Sequence, residues 1–243
     1  MKLFIITGSS KGLGASLLNQ TLEEGHLVIS ISRSKALKHP NHIHIGHDLS
    51  KSKRLDMKLD KALGKIDLKI IKSVHLINNA AVIEPIGTVE NFKIEDMEMH
   101  LKLNLLTPMV ICRWLMASFT KKMPITIVNI SSGAAFHTIV NWSMYCSTKS
   151  GLKMFTDCLN VDYADRKNFK ALSFSPGVMD TSMQATIRSK SKKTFKNIEK
   201  FKNLKKNNQL LSPDQVASGL LTLIKSQKNI TDTHYDIRNL NMT

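Results

Sequence analysis

The chain has 243 residues, 42% of them hydrophobic and 22% charged, a globular composition long enough for one sizeable core. Its formal charge is +16, which raises nucleic acid, a membrane surface or anionic ligands as partners. Cys112, Cys146 and Cys158 are odd in number and lack zinc spacing, no apolar run nears the roughly 18 residues of a membrane span, and Met1–Gly8 is too weakly apolar for a signal peptide. Disulfide-stapled, secreted and transmembrane classes are thereby excluded, and a reducing cytoplasm is the expected setting.

Short β-branched runs predict strands near 2–7, 27–32, 43–46, 74–78, 124–130, 169–174 and 233–237. Amphipathic stretches predict helices over roughly 12–24, 51–63, 93–119, 143–166 and 213–226, the last opened by Ser212 as N-cap and Pro213 in its first turn. This alternation predicts an α/β chain, a doubly wound parallel sheet of about seven strands with helices on both faces, in a single domain over 1–243. The segment at about 182–208 breaks the pattern. Between Arg188 and Lys206 it carries nine basic residues and one acid, Glu199, half of the net charge. It reads as a solvated lid or excursion, with phosphate binding to nucleic acid as the alternative.

Directly after the first strand, Gly8-Ser9-Ser10-Lys11-Gly12-Leu13-Gly14 sets three glycines at the opening of a helix. A tight turn, close backbone approach to a pyrophosphate and close helix–strand packing each require a missing side chain, and the helix N-terminus offers free N–H groups to an anion. Ordinary tight turns use glycine as well. An NAD site usually has a carboxylate about 20 residues further on, yet none occurs between Glu24 and Asp48. Arg33 stands there instead, able to fork onto a 2′-phosphate, with Ser34 and Lys11 to assist, so NADPH is expected over NADH. The alternative is that Arg33 and Lys11 are solvated surface charges.

Tyr145 and Lys149 lie four residues apart, on one face of a helix. An ammonium and an oxidised nicotinamide beside a phenol would both favour the phenolate and bring it toward working pH. Thirteen residues earlier, Ser132 ends a strong apolar strand, where parallel sheets place their ligands. Ser132 could bond a substrate carbonyl, with Ser131 as second choice, or either serine could serve only the turn.

Thr7-Gly8-x-x-x-Gly12-x-Gly14, Asn78-Asn79-Ala80, Ser132, Tyr145-x-x-x-Lys149 and Pro176-Gly177 together resemble the short-chain dehydrogenases/reductases over nearly the whole chain. The resemblance implies a Rossmann-type fold in which Tyr145 donates a proton to a carbonyl, Ser132 bonds it, Lys149 anchors the nicotinamide ribose and lowers the tyrosine pKa, and Asn104 holds a proton-relay water. It implies that Asp48 and Leu49 flank the adenine, that Asn79 and Ala80 meet the adenosine ribose, and that Pro176, Gly177, Val178, Thr181 and Met183 line the nicotinamide, whose pro-S hydride is transferred. Ala81 replaces a family glycine beside the cofactor, a fit that requires negative φ there. Family members pair through their long helices, here about 93–119 and 143–166, so a homodimer or homotetramer is expected.

Gly133-Ala134-Ala135, Trp142-Ser143-Met144-Tyr145-Cys146 and Ser175 through Gln184 resemble more narrowly the benzil reductases that form (S)-benzoin, and more distantly sepiapterin reductase. Both act with NADPH on dicarbonyl-type substrates. Trp142, helped by Phe136, Gly177 and Met179, could then wall a substrate ring, or simply pack. Asp236, in His234-Tyr235-Asp236, either matches a pterin-anchoring aspartate or closes the last strand, and Ser182 stands where sepiapterin reductase has a second aspartate. Cys146 reads as a packing residue. The nine histidines lack metal-ligand spacing, and no metal is assigned. The expected activity is NADPH-dependent reduction of one carbonyl of a small vicinal diketone, without nucleic acid or membrane as partner. Pterin side-chain reduction and a non-catalytic NADPH sensor are the alternatives.

Overall fold

A computed structural model describes residues 1–34, 37–51 and 53–240. Seven strands, β1 (Lys2–Thr7), β2 (Leu27–Ser32), β3 (His42–Gly46), β4 (Ser73–Asn78), β5 (Ile125–Ile130), β6 (Phe169–Ser175) and β7 (His234–Asp236), form one sheet in the order β3-β2-β1-β4-β5-β6-β7. Every pairing is parallel. The order reverses direction between β1 and β4, the crevice where doubly wound sheets hold ligands.

Side-chain alternation with a period of two divides the core between the faces. Leu3 and Ile5 of β1 point into the layer with Val74, Leu76, Ile125, Ile127 and Leu159. Phe4 and Ile6 point the other way, onto Leu17, Val216, Leu220 and Ile224. The second layer is built by α1 (Gly12–Glu23) and α8 (Pro213–Ile224); the first by α2 (Leu55–Leu63), α4 (Thr107–Ser118) and α5 (Ser143–Asp162), with α3 (Ile94–Leu101) packed against α5. Ser212 caps α8 as read from the sequence: its hydroxyl accepts from Gln215 N at 3.1 Å, and the Gln215 side chain accepts from Ser212 N at 3.1 Å.

Besides shifts of a few residues at element ends, three stretches differ from the sequence reading. The helix expected over 51–63 begins at Leu55, and Ser52 lies outside the described residues. The stretch 93–119 does run helical from Ile94 to Ser118, but a π turn at Lys102–Leu106 separates α3 from α4. The segment 182–208 holds two amphipathic helices, α6 (Ser182–Arg188) and α7 (Ile198–Lys206). Among the described residues no helix is long and apolar enough to cross a membrane.

Close approach at the first turn fixes how α1 meets the sheet. Gly8 has φ +70° and Gly12 φ +54°, in the left-handed region that favours glycine. Gly14 is limited by space, since a Cβ there would lie 2.2 Å from Gly8 O and 2.6 Å from the Asn79 amide nitrogen. Gly14→Ala is expected to cost about 3 kcal/mol, the upper end of ordinary overpacking, in urea unfolding. Gly46→Ala, whose Cβ would meet nothing within 4 Å, is the control and should leave the midpoint in place.

Candidate active site

At the carboxyl end of β5 the chain leaves the sheet through Ser131 and Ser132 into a short 3-10 turn, Gly133–Ala135, and returns as α5. The Ser132 hydroxyl accepts from Ala134 N at 3.2 Å, so it caps the turn while standing beside the Tyr145 phenol. Ser131 is buried, and its hydroxyl has no partner among the described residues. Tyr145 and Lys149 sit one turn apart on the buried face of α5, 7% and 3% exposed. The Lys149 ammonium donates to Ile130 O at 2.7 Å and lies 5.6 Å from the centroid of the tyrosine ring.

Burial dominates the electrostatics of this pair. It pushes the Tyr145 phenol up to about 12, with Ser132 acting in the opposite direction, and brings the Lys149 ammonium down to about 8. In the chain alone burial is the largest influence on the phenol, which keeps its proton at neutral pH.

Asn104 sits inside the π turn, an irregularity common at functional positions. Its carboxamide brackets Val82, accepting from Val82 N at 2.9 Å and donating to Val82 O at 2.8 Å. The same amide nitrogen lies 3.0 Å from His100 Nε2, which is also 3.0 Å from the Thr148 hydroxyl. Sequence reasoning missed His100 and Thr148. The available signals were their spacing, His100 one helical turn before Asn104 and Thr148 adjacent to Lys149.

On the cofactor side, Thr7 Oγ1 accepts from Asn79 N and Ala80 N at 2.9 and 3.0 Å. The Asn79 amide donates to Thr7 O at 3.0 Å and to Gly8 O at 3.3 Å, so β1, the glycine turn and the segment after β4 form one rigid corner. Ser9 is buried, with its hydroxyl unpartnered among the described residues, while Ser10 and Lys11 are exposed and Leu13 packs into the core. A Cβ on Gly12 would reach within 3.2 Å of Thr181, which brings the start of α6 over the turn. The bare backbone, the orphan serine and the open α1 N-terminus fit a dinucleotide's phosphates. Positive φ among the described non-glycine residues occurs at Arg54, Asn141 and Asn208, so Ala81 meets its condition.

Arg33 and Ser34 are exposed at the end of β2, with Asp48 nearby. Burial works against the Asp48 carboxylate, but two bonds from Ser50, at 3.1 and 2.8 Å, and the nearby Arg33 hold it below its ordinary pKa. Leu49 is pinned by its carbonyl, which accepts from Thr107 Oγ1 at 2.6 Å. After β6, Pro176 leads to Gly177 at φ +68°, where a Cβ would press on Ile237 and Leu211 at 3.2 Å. Val178 and Met179 are clamped from outside, because Leu211 donates to Val178 O and accepts from Asp180 N, both at 3.0 Å.

Trp142 is the plate on which the α6–α7 segment closes. Its ring stacks on Phe195 at 5.2 Å, tilts against Phe201 at 5.4 Å and meets Tyr145 edge-on at 5.6 Å. Ile83, Ile86, Ile187 and Ile198 complete this cluster, with Met183 packed against it. Phe195 and Phe201, the two aromatics of the basic run, were not among the site residues expected from the sequence. Phe136, expected near Trp142, instead lies 43% exposed over His234, with ring centroids 4.3 Å apart. Asp236 ends β7, and its carboxylate accepts from the Arg238 side chain at 2.8 and 2.6 Å.

The short chain dehydrogenase family model matches residues 2–192. Benzil reductase ((S)-benzoin forming) of Bacillus subtilis (strain 168) is 40% identical over 93% of this chain and 94% of its own. The protein of the same name from Bacillus cereus is 36% identical over 94% and 96%. A crystal structure of a short chain dehydrogenase/reductase from Saccharomyces cerevisiae shares the fold, with a TM-score of 0.85 at 23% identity, covering 98% of this chain and 97% of that one. A family match over most of the chain, and two relatives 40% and 36% identical that align with it nearly end to end, make the chain a member of the short chain dehydrogenase family.

Proposed function

We propose that the protein reduces one carbonyl of a small vicinal diketone, of the benzil to (S)-benzoin type, with NADPH. The observation that carries this reading is the buried Tyr145, protonated at neutral pH, beside Ser132 and Lys149 under an aromatic cover. The 40% and 36% identical relatives named as benzil reductases support the substrate class.

When bound, a reduced nicotinamide supplies the hydride that goes to the carbonyl carbon. Tyr145 gives its phenolic proton to the carbonyl oxygen, and Ser132 donates a hydrogen bond to that oxygen as negative charge develops. Lys149 has Ile130 O as its recorded partner among the described residues, leaving ammonium protons for a ribose diol. Asn104 supports the Val82 segment beneath it. Arg33, Ser34 and Lys11 receive the 2′-phosphate, Asp48 and Leu49 border the adenine, and Asn79 to Ala81, Pro176 to Val178 and Thr181 shape the remaining contacts. Trp142 offers its face to a substrate ring, beside Gly177 and Met179. Exposed Leu101 and Leu106 along α3 and the π turn, with Met154 and Val161 on α5, support pairing of copies through these helices.

Benzil added to the wild type with NADPH should consume the cofactor, followed at 340 nm, while Tyr145→Phe should lose at least about a hundredfold in kcat with NADPH binding retained. Tight NADPH binding without turnover of benzil, sepiapterin or a simple ketone would leave a cofactor sensor instead. Arg33→Ala is expected to raise the KM for NADPH about tenfold or more and to leave the KM for NADH unchanged, as loss of a charge-assisted fork on the 2′-phosphate predicts. Equal effects on both cofactors would remove Arg33 from the site.

The pH dependence has opposite signs for the two directions. Reduction needs the phenol protonated and the ammonium charged; burial raises Tyr145 to about 12 and lowers Lys149 to about 8, so Lys149 sets the alkaline limit. The reduction rate should hold below about pH 8 and fall above it, whereas alcohol oxidation should gain with pH as the phenol ionises. A reduction rate still climbing at pH 10 would contradict this assignment.

A further inference from the structure

Outside the tyrosine, serine and lysine, polar groups from three parts of the fold converge on one buried imidazole. His100 is 0% exposed near the end of α3. Its Nδ1 lies 2.6 Å from Glu84 O, and its Nε2 lies 3.0 Å from both the Asn104 amide nitrogen and the Thr148 hydroxyl. The ring also stands edge-on to Tyr145, centroids 6.3 Å apart.

Hydrogen accounting gives these contacts one arrangement. A carbonyl can only accept, so the proton on His100 must sit on Nδ1, which leaves Nε2 with a lone pair. The Asn104 amide has two protons: one goes to Val82 O, the other to His100 Nε2. With its amide turned over, Asn104 would set its oxygen against both Val82 O and the Nε2 lone pair, and its nitrogen against Val82 N. The Thr148 hydroxyl lies 3.0 Å from both Nε2 and Met144 O, so its one proton is shared between the ring and the α5 backbone, and Nε2 accepts from Asn104 and Thr148 together. Every group in the chain is satisfied only while the imidazole is neutral and in this tautomer.

We propose that His100 is a positioning residue: its neutral imidazole, donating from Nδ1 and accepting at Nε2, fixes the Asn104 carboxamide and ties it to the face of α5 that carries Tyr145 and Lys149. The proposal rests on the reading above that these three residues belong to the reactive site. Glu84 follows the Val82 segment, Thr148 precedes Lys149, and Asn104 occupies the π turn. One ring therefore sets the spacing of the loop after β4, the π turn and α5. Burial, with the Lys149 charge as a smaller contribution, holds the His100 pKa below its ordinary value and keeps the ring neutral.

The test uses His100→Leu, His100→Gln and His100→Asn, with kcat and KM for benzil and NADPH measured separately and unfolding temperatures recorded beside them. Leu removes both bonds and is expected to lower kcat about tenfold or more, as small misplacements of reacting groups do, with the KM for NADPH within about twofold. Gln can carry an acceptor oxygen to the former Nε2 position and should recover most of kcat. Asn reaches only Glu84 O and should not, even where its stability equals that of the Gln variant. Equal kcat in all three variants, or a kcat loss that follows unfolding temperature regardless of the acceptor, overturns the proposal. The wild-type rate reports separately on the proposed reaction. A readout independent of turnover is the 15N spectrum of the labelled protein, with His100 assigned by the signal lost in His100→Gln: a neutral Nδ1–H ring is expected, and an imidazolium or the Nε2–H tautomer at neutral pH overturns the proposal.

Discussion

A lysine ammonium buried without a carboxylate among the described residues is the constraint around which this structure is organised. Lys149 is 3% exposed and its recorded protein partner is a single carbonyl, Ile130 O. A charge in that position is tolerable only when its surroundings supply oriented dipoles and when no second cation is forced beside it. The end of β5 provides the dipole, and the neutral tautomer of His100 keeps the neighbouring ring uncharged. The same desolvation that brings Lys149 down raises Tyr145, so one act of burial gives an acid that holds its proton and a base-side neighbour that titrates near working pH.

What could be read from the sequence follows from how local its causes are. The β1 turn was legible because Gly8, Gly12 and Gly14 act within a few residues of one another, and the Tyr145/Lys149 pair because one helical turn puts both side chains on one face. Ser212 with Gln215 is equally local. The His100 network was not legible, since the partners of one imidazole, Glu84 O and Thr148, lie 16 and 48 positions away. The contacts of Phe136 with His234 and of Asp236 with Arg238 were not legible either, because neither leaves a periodic trace, and the sequence left two readings open for each residue. The π turn at Asn104 escaped because its helical pattern continues almost undisturbed through it.

The basic run has a similar explanation. In α6, α7 and the connection between them the apolar residues Ile187, Phe195, Ile198 and Phe201 face inward, while Lys192, Lys193, Lys196, Lys200, Lys202 and Lys206 are exposed. The charge that seemed to announce a partner is the outer surface of an amphipathic cover. A chain read by composition alone sees the lysines; the hydrophobic residues between them decide where the segment goes.

The forces closing that cover are unequal. Lys190 pairs with Glu84 and Lys205 with Asp180, but these groups are substantially solvated, and exposed pairs of this kind are screened too well to hold a segment shut. Phe195, Ile198 and Phe201 are each at least nine-tenths buried, and burying one such side chain is worth about 1.5–3 kcal/mol. Opening must therefore expose aromatic surface on both the cover and Trp142. A substrate carrying its own aromatic ring can cover that surface again, whereas a small polar ketone cannot. In the proposed reaction, selectivity for aryl diketones would arise from the cost of lifting Phe195 and Phe201 off Trp142, with the polar groups at Tyr145 and Ser132 indifferent to what lies beyond the carbonyl.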